Sequence, residues 1–385
     1  MTAAAPSTPA PAEQRVTPLE LFFDLVFVFA FTQVTALMAA SPTSPNLVRG
    51  MLVMAVLWWA WVGYAWLTNC VDTGAVPVRA AIFTAMGAMI VVALAVPEAF
   101  DRYGVLFALA VGVVRAMFLV LFHISTRDDP AMRTAVDRMA IGLVVGSGLL
   151  VAAGLLDGAA QGALFAIAIA IDYLAPLLGG TRGWRVSAGH FAERHGLIVI
   201  IALGESIVAI GVGAAGLELE AGLVTGAVLG VALAAALWWV YFDVTATAAE
   251  HRLRAREGVA RNRLARDAYS YLHLPMIAGI VLVALGVKTV IAHVGDPLDG
   301  VPAAALCGGA ALYLLAHVAF RLRVVGTLSR QRTVAAGLCV AVLPLALAGP
   351  GLAALAALVG ICAGLAAYEF ARFRPARRRV LAGAG

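Results

Sequence analysis

Charge is what this sequence has least of. Asp, Glu, Lys and Arg make up 13% of the 385 residues, while 62% are hydrophobic and the mean hydropathy is +0.94. Soluble domains carry about 25% charged residues, so a soluble globule is excluded and the chain reads as an all-α, polytopic integral membrane protein. Lysine is nearly missing, with Lys288 alone against 26 arginines. Cysteine is sparse too. Cys70, Cys307, Cys339 and Cys362 have no close spacing and sit mostly in apolar runs, which excludes a disulfide framework and a cysteine metal site and leaves small core residues. Catalytic signatures are also missing. There is no Gly-x-Ser-x-Gly, phosphate loop, or His-x-x-x-His or Glu-x-x-His pair. Leu203-Gly204-Glu205-Ser206 sets an acid beside a hydroxyl without an evident general base. The chain is therefore expected to have no enzymatic activity, cofactor or metal.

What the sequence has is long apolar runs. Twelve of them, near 19–40, 50–69, 78–96, 103–123, 136–156, 160–179, 196–214, 221–244, 270–291, 301–320, 332–349 and 351–371, are long enough to cross a bilayer. The last two share a Gly349-Pro350-Gly351 turn and read either as two spans or as one re-entrant hairpin. Residues 1–18 read as an Ala- and Pro-rich disordered tail without the marks of a signal peptide. The polar stretch from Glu250 to Asp267 spaces Arg252, Arg256 and Arg263 as a helix would. It extends the eighth span or lies on the lipid surface.

The basic residues orient the chain. With twelve spans and the N-terminus inside, 23 of the 27 fall on the cytoplasmic side, Arg49, Arg102 and Lys288 fall opposite, and Arg115 is left within the membrane. The basic balance is thus spent on topology and anionic lipid contact, and no soluble basic domain exists to bind nucleic acid. An even number of spans per half makes the halves parallel: 19–180 as a first six-helix repeat, 181–195 as connector, 196–371 as the second repeat and 372–385 as a basic tail.

Buried acids single out the candidate site. Asp24 lies in Phe22-Phe23-Asp24-Leu25-Val26-Phe27 and Glu205 in Ala202-Leu203-Gly204-Glu205-Ser206. A carboxylate at mid-membrane costs about 2.5–3.5 kcal/mol on insertion scales, so it needs a partner or a function. Aligning the two acids gives an offset of 181, which also carries Trp58 onto Trp239; a rival register sets Glu20 on Glu193. At helical spacing Glu20, Asp24, Phe27, Phe31 and Thr35 share one face, and Ile198, Ile201, Ala209 and Val212 share the face of Glu205. Arg115 needs an acid, and Asp24, Asp172 and Glu205 are the choices, with an acid of its own half favoured by loop economy. His273 and His317 complete the candidate pathway residues, though a lone His in a helix is more often packing than a ligand. His190, Glu193, Arg194 and His195 read as a charged cytoplasmic end, and Trp58, Trp59, Trp61, Tyr64 and Trp66 as packing between repeats.

Four segments carry a resemblance. These are Pro18-Leu19-Glu20-Leu21-Phe22-Phe23-Asp24-Leu25-Val26-Phe27-Val28, Trp58-Trp59-Ala60-Trp61 through Asn69, His190 to Gly196 running into Leu203-Gly204-Glu205-Ser206, and Ala268-Tyr269-Ser270-Tyr271-Leu272-His273-Leu274-Pro275. Together they resemble the bacterial low temperature requirement A family, which is named for a growth phenotype. The first helix is also similar to the Phe-Ser-Asp motif of potassium channels built from one or two six-helix repeats, with Phe23 in place of the serine. The resemblance and the Ala- and Arg-rich composition imply a multi-pass protein of the bacterial cytoplasmic membrane with both termini cytoplasmic. The expected function is an ion channel or ion-coupled transporter whose partners are the bilayer and a small ion or solute, with a homo-oligomer compatible. The alternative is a non-transporting protein of cold or bilayer adaptation, or a lipid-modifying enzyme.

Overall fold

The computed structural model describes residues 15–71 and 73–373, so the first 14 residues of the tail read over 1–18, and the basic tail beyond 373, lie outside the described residues. All regular structure among the described residues is helical. The first half runs through α1 (Pro18–Ala40), α2 (Ser44–Thr68), α3 (Val76–Ala95), α4 (Gly104–Ser125), α5 (Pro130–Gly154) and α6 (Gly158–Gly179). The second runs through α7 (Ala188–Ala214), α8 (Ala221–Phe242), the short α9 (Thr245–Arg254) and α10 (Gly258–Leu264), and a π-helical turn at Ala265–Tyr271. It continues with α11 (His273–Ala292), α12 (Gly300–Val325), α13 (Arg330–Ala341), α14 (Leu343–Ala348) and α15 (Gly351–Arg372).

Twelve of these stretches are long and apolar enough to cross a membrane, with α13 and α14 counting as one and α15 as another. The kink between α13 and α14 falls just before Pro344, which has no N–H to continue the ladder. Large apolar side chains cover the outside of the bundle, among them Leu178 at 85% exposure and Ile141 at 69%. Such a surface belongs against lipid. The protein is a multi-pass membrane protein.

Helix starts precede the apolar runs wherever a cap and a proline lie upstream. Thr17 and Glu20 form a capping box, with the Thr17 amide donating to Glu20 at 2.7 Å and Pro18 in the first turn. Two residues read as tail are therefore the cap and start of α1. Asp129 caps α5 at Pro130, six residues ahead of the expected span. α7 begins at Ala188, inside the stretch read as connector. Glu250–Asp267 is divided. Its first residues continue from α8 as α9, after a break at Asp243–Val244 that turns α9 against α7 and α12, and the rest leads through α10 and the π turn directly into α11.

Packing partners recur between the halves. α1 packs on α2 and α3, α3 on α4, α4 on α5, α5 on α6, and α2 on α6; likewise α7 packs on α8 and α11, α11 on α12, α12 on α13, α13 and α14 on α15, and α8 on α15. α11 and α12 touch backbone to backbone. A Cβ on Gly279 would stand 2.7 Å from the Gly309 carbonyl oxygen, and one on Gly309 equally close to that of Gly279. The register of 181 pairs unlike places: Trp58 is fully buried, whereas Trp238 and Trp239 are each 41% exposed. The ends of α1 and α7, and of α2 and α8, are both 174 positions apart, close to the rival register.

Candidate functional site

α1 and α7 run parallel and meet along a polar seam. Glu20 and Asp24, one turn apart on α1, face His190 and Arg194, one turn apart on α7. His190 Nε2 lies 2.9 Å from Glu20 Oε1, and Arg194 Nη1 lies 3.1 Å from the same oxygen. Arg194 Nη2 donates to Asp24 Oδ1 at 2.7 Å. The Trp61 indole donates to that oxygen at 2.9 Å while its ring lies 5.6 Å under the guanidinium. Exposure does not exceed 1% for any of the four charged or titratable residues, so water shields none of this. Among the described residues none donates a hydrogen bond to Asp24 Oδ2.

Two turns further along the same seam, about 12 Å at 1.5 Å per residue, Thr32 of α1 donates its hydroxyl to Glu205 Oε2 of α7 at 2.5 Å. Glu205 is 1% exposed. Among the described residues no arginine or histidine forms an ion pair with it. The cation that acts on it is Lys288 of α11, beyond ion-pair distance. The face expected for Glu205 holds for Ile198 and Ala209, both buried, but Val212 is 48% exposed because the seam ends before it.

Arg115 pairs with Asp172 of its own half, Nη2 to Oδ2 at 2.5 Å, and donates to Ser147 at 3.2 Å. It joins neither Asp24 nor Glu205. Nor is it the lone basic residue inside the bundle, since Arg194 is wholly buried and Arg332 is 5% exposed. Arg332 binds Glu369 at 2.7 Å and donates to His317 Nδ1 at 3.2 Å. His317 lies more than two turns before the end of α12, because the helix continues to Val325 past the apolar run. His273 meets the Tyr241 hydroxyl at 2.9 Å through Nε2 and the Ala268 carbonyl at 3.1 Å through Nδ1. The tryptophans tie the halves together, Trp58 donating to the Ser270 carbonyl at 2.7 Å and Trp66 to the Ser270 hydroxyl at 2.9 Å.

At the arginine-rich end a recess of about 470 Å³ opens between α7, α8 and α9, rimmed by Glu193, Glu250 and Arg254 and floored by Tyr241 and Tyr269. Its floor places the Tyr241–His273 pair one side chain from the recess. Among the described residues, no group of three or more His, Cys, Asp or Glu side chains is placed to hold a metal ion.

From residue 15 to residue 367 the chain matches the sequence profile of the bacterial low temperature requirement A protein. The chain belongs to this family. The match takes in the whole seam, from the cap of α1 to α15. This low temperature requirement A protein is also similar to an uncharacterised protein of Rhizobium meliloti (strain 1021), 32% identical over 286 residues, covering 71% of this chain and 69% of the relative. No solved structure matches.

Sequence reasoning missed His190, Arg194, Trp61 and Thr32 as parts of the site. A signal for the first two existed: an acid pair spaced i, i+4 on one helix and a basic pair spaced i, i+4 on another form a matched ladder when the helices run parallel. For Trp61 and Thr32 no such signal exists, since their roles depend on which helix lies opposite.

Proposed function

We propose that this low temperature requirement A protein moves protons or small monovalent cations across the bacterial cytoplasmic membrane, with Glu205 binding the moving charge. The contrast between the buried acids carries the reading. Glu20 and Asp24 are held by Arg194, and Asp172 by Arg115, both permanent counter-charges. Glu205 has a hydroxyl in contact and a lysine at a distance. A carboxylate kept in the apolar layer without a fixed counter-charge marks an ion or proton path by default.

The reading includes two parallel six-helix repeats, supported by the recurring packing partners and the shared spacing of helix ends. It sets the arginine-rich end and both termini in the cytoplasm, so that the recess above Tyr241 opens inward as the mouth of the path. The protein is then a conduit with no catalytic chemistry of its own.

The test is flux through the full chain in liposomes, read for protons, potassium and sodium with pH- and potential-sensitive dyes. Wild type is expected to pass at least one of them and Glu205→Gln to pass none. Equal silence of both across these ions and small solutes would return the protein to the non-transporting reading.

A further inference from the structure

A second feature lies away from the seam. Between α2, α4, α5 and α6 lies an apolar cleft of about 70 Å³. Trp59, Trp66, Phe118 and Leu143 form much of its wall, and it runs from Arg115 at mid-membrane to Arg138, Arg266 and the Gly179–Gly180 end of α6. The neighbouring faces of α5 and α6 are open to lipid, with Ile141 69% and Leu174 51% exposed. α6 is the least enclosed of the twelve spans.

The charge around the cleft's polar end is lopsided. Arg138 is exposed, and its guanidinium donates to the Arg182 carbonyl at 3.3 Å, with no acid among the described residues paired to it. Arg266 shares one carboxylate, Asp267, with Arg323. Among the described acids nearby, Asp129 pairs with Arg185, and Asp137 lies 3.0 Å from His123, an ion pair only when that ring is protonated. One end of the cleft thus holds two arginines, Arg138 with no described acid paired to it and Arg266 on a carboxylate shared with Arg323, and the rest is apolar wall running to Arg115.

We propose that this cleft binds one anionic phospholipid from the leaflet on the arginine-rich side, its phosphate at Arg138 and Arg266 and an acyl chain against Trp59, Phe118 and Leu143. A soluble anion would leave the aromatic wall unfilled, and a zwitterionic lipid would leave the surplus arginine unanswered. The site is independent of Glu205, so its failure leaves the transport reading untouched.

Native mass spectrometry of the detergent-purified full chain tests it, titrating phosphatidylglycerol against phosphatidylcholine of the same acyl chains. Wild type is expected to retain phosphatidylglycerol in preference. Arg138→Gln is expected to weaken that retention about fivefold, in line with about 1 kcal/mol per arginine near an anionic surface, and Arg138→Lys to restore most of it. Met139→Trp, which narrows the cleft without touching charge, is expected to lower retention of both lipids, and it keeps the test alive should Arg138→Gln not fold. Equal retention of the two lipids, an Arg138→Gln protein indistinguishable from wild type, or displacement of the lipid by inorganic phosphate would each overturn the proposal.

Discussion

Arg194 donates to Asp24 at 2.7 Å across the α1–α7 seam, and neither side chain is exposed to any measurable degree. The same guanidinium stands 3.1 Å from Glu20, so one cation on the second half of the chain answers two acids on the first. Sequence distance between these partners is 170 positions, which makes the contact one of the long-range ties between the halves.

Removing Arg194 is therefore expected to cost more than removing either acid. Arg194→Gln leaves two buried carboxylates with His190 beside Glu20 alone, a loss in the range of about 3–5 kcal/mol for a broken buried pair. Asp24→Asn leaves Arg194 with Glu20 and is expected to cost less. Denaturant unfolding in detergent of both single variants and the double variant reads the coupling. Additivity within about 0.5 kcal/mol would mean that the ladder carries no stability of its own.

Gly146 sits where Arg115 and Asp172 meet. A Cβ there would lie 2.6 Å from Asp172 Oδ1 and 3.2 Å from Arg115 Nη1. Gly146→Ala is expected to push the carboxylate off its partner and destabilise by about 1–3 kcal/mol, as overpacking does. Two residues on, a Cβ on Gly148 meets nothing within 4 Å, so Gly148→Ala is expected to be neutral or to stabilise by up to about 1 kcal/mol through helix propensity. Thermal unfolding of the two variants side by side decides it, and equal effects would remove the steric argument.

The spans were legible because a bilayer demands about twenty apolar residues in a row, and hydropathy reads that demand directly. Helix starts were less legible: α2 and α5 begin six residues before their apolar runs, at Ser44 and Pro130, because the first turns lie at headgroup depth where polar residues are tolerated. The pairing of Arg115 with Asp172 could be anticipated, since an arginine in an apolar run has few acids to choose from. The pairing of Arg194 could not be anticipated in the same way. His190 and Arg194 precede the apolar part of α7 and look like loop charges until α1 is laid against them. Equating Asp24 with Glu205 by an offset of 181 failed on environment, for the first is clamped by an arginine and the second is not.

That difference yields an expectation for Glu205 separate from flux. Glu205→Gln keeps an oxygen to accept from Thr32 and removes a charge that no arginine balances. Its stability is expected to stay within about 1 kcal/mol of wild type, the scale of one net hydrogen bond. A loss as large as that of Arg194→Gln would reveal a cation partner to Glu205, and the contrast on which the transport reading rests would be gone.

Cys70, in the loop after α2, gives the last test. Its thiol lies 3.6 Å from the Arg185 carbonyl oxygen, and burial pushes its pKa up to about 12. An unfolded cysteine titrates near 8.5, so the folded state favours the neutral thiol. That contribution to stability is complete below about 8.5 and falls as the pH rises towards about 12. Maleimide reacts with the thiolate, so in a variant with Cys307, Cys339 and Cys362 changed to alanine, native protein is expected to label slowly at pH 8. The same protein unfolded in dodecyl sulfate is expected to label at the rate of an ordinary thiol. Native labelling as fast as unfolded at pH 8 would show that the loop opens to water, and with it the contact between the end of α2 and the stretch ahead of α7.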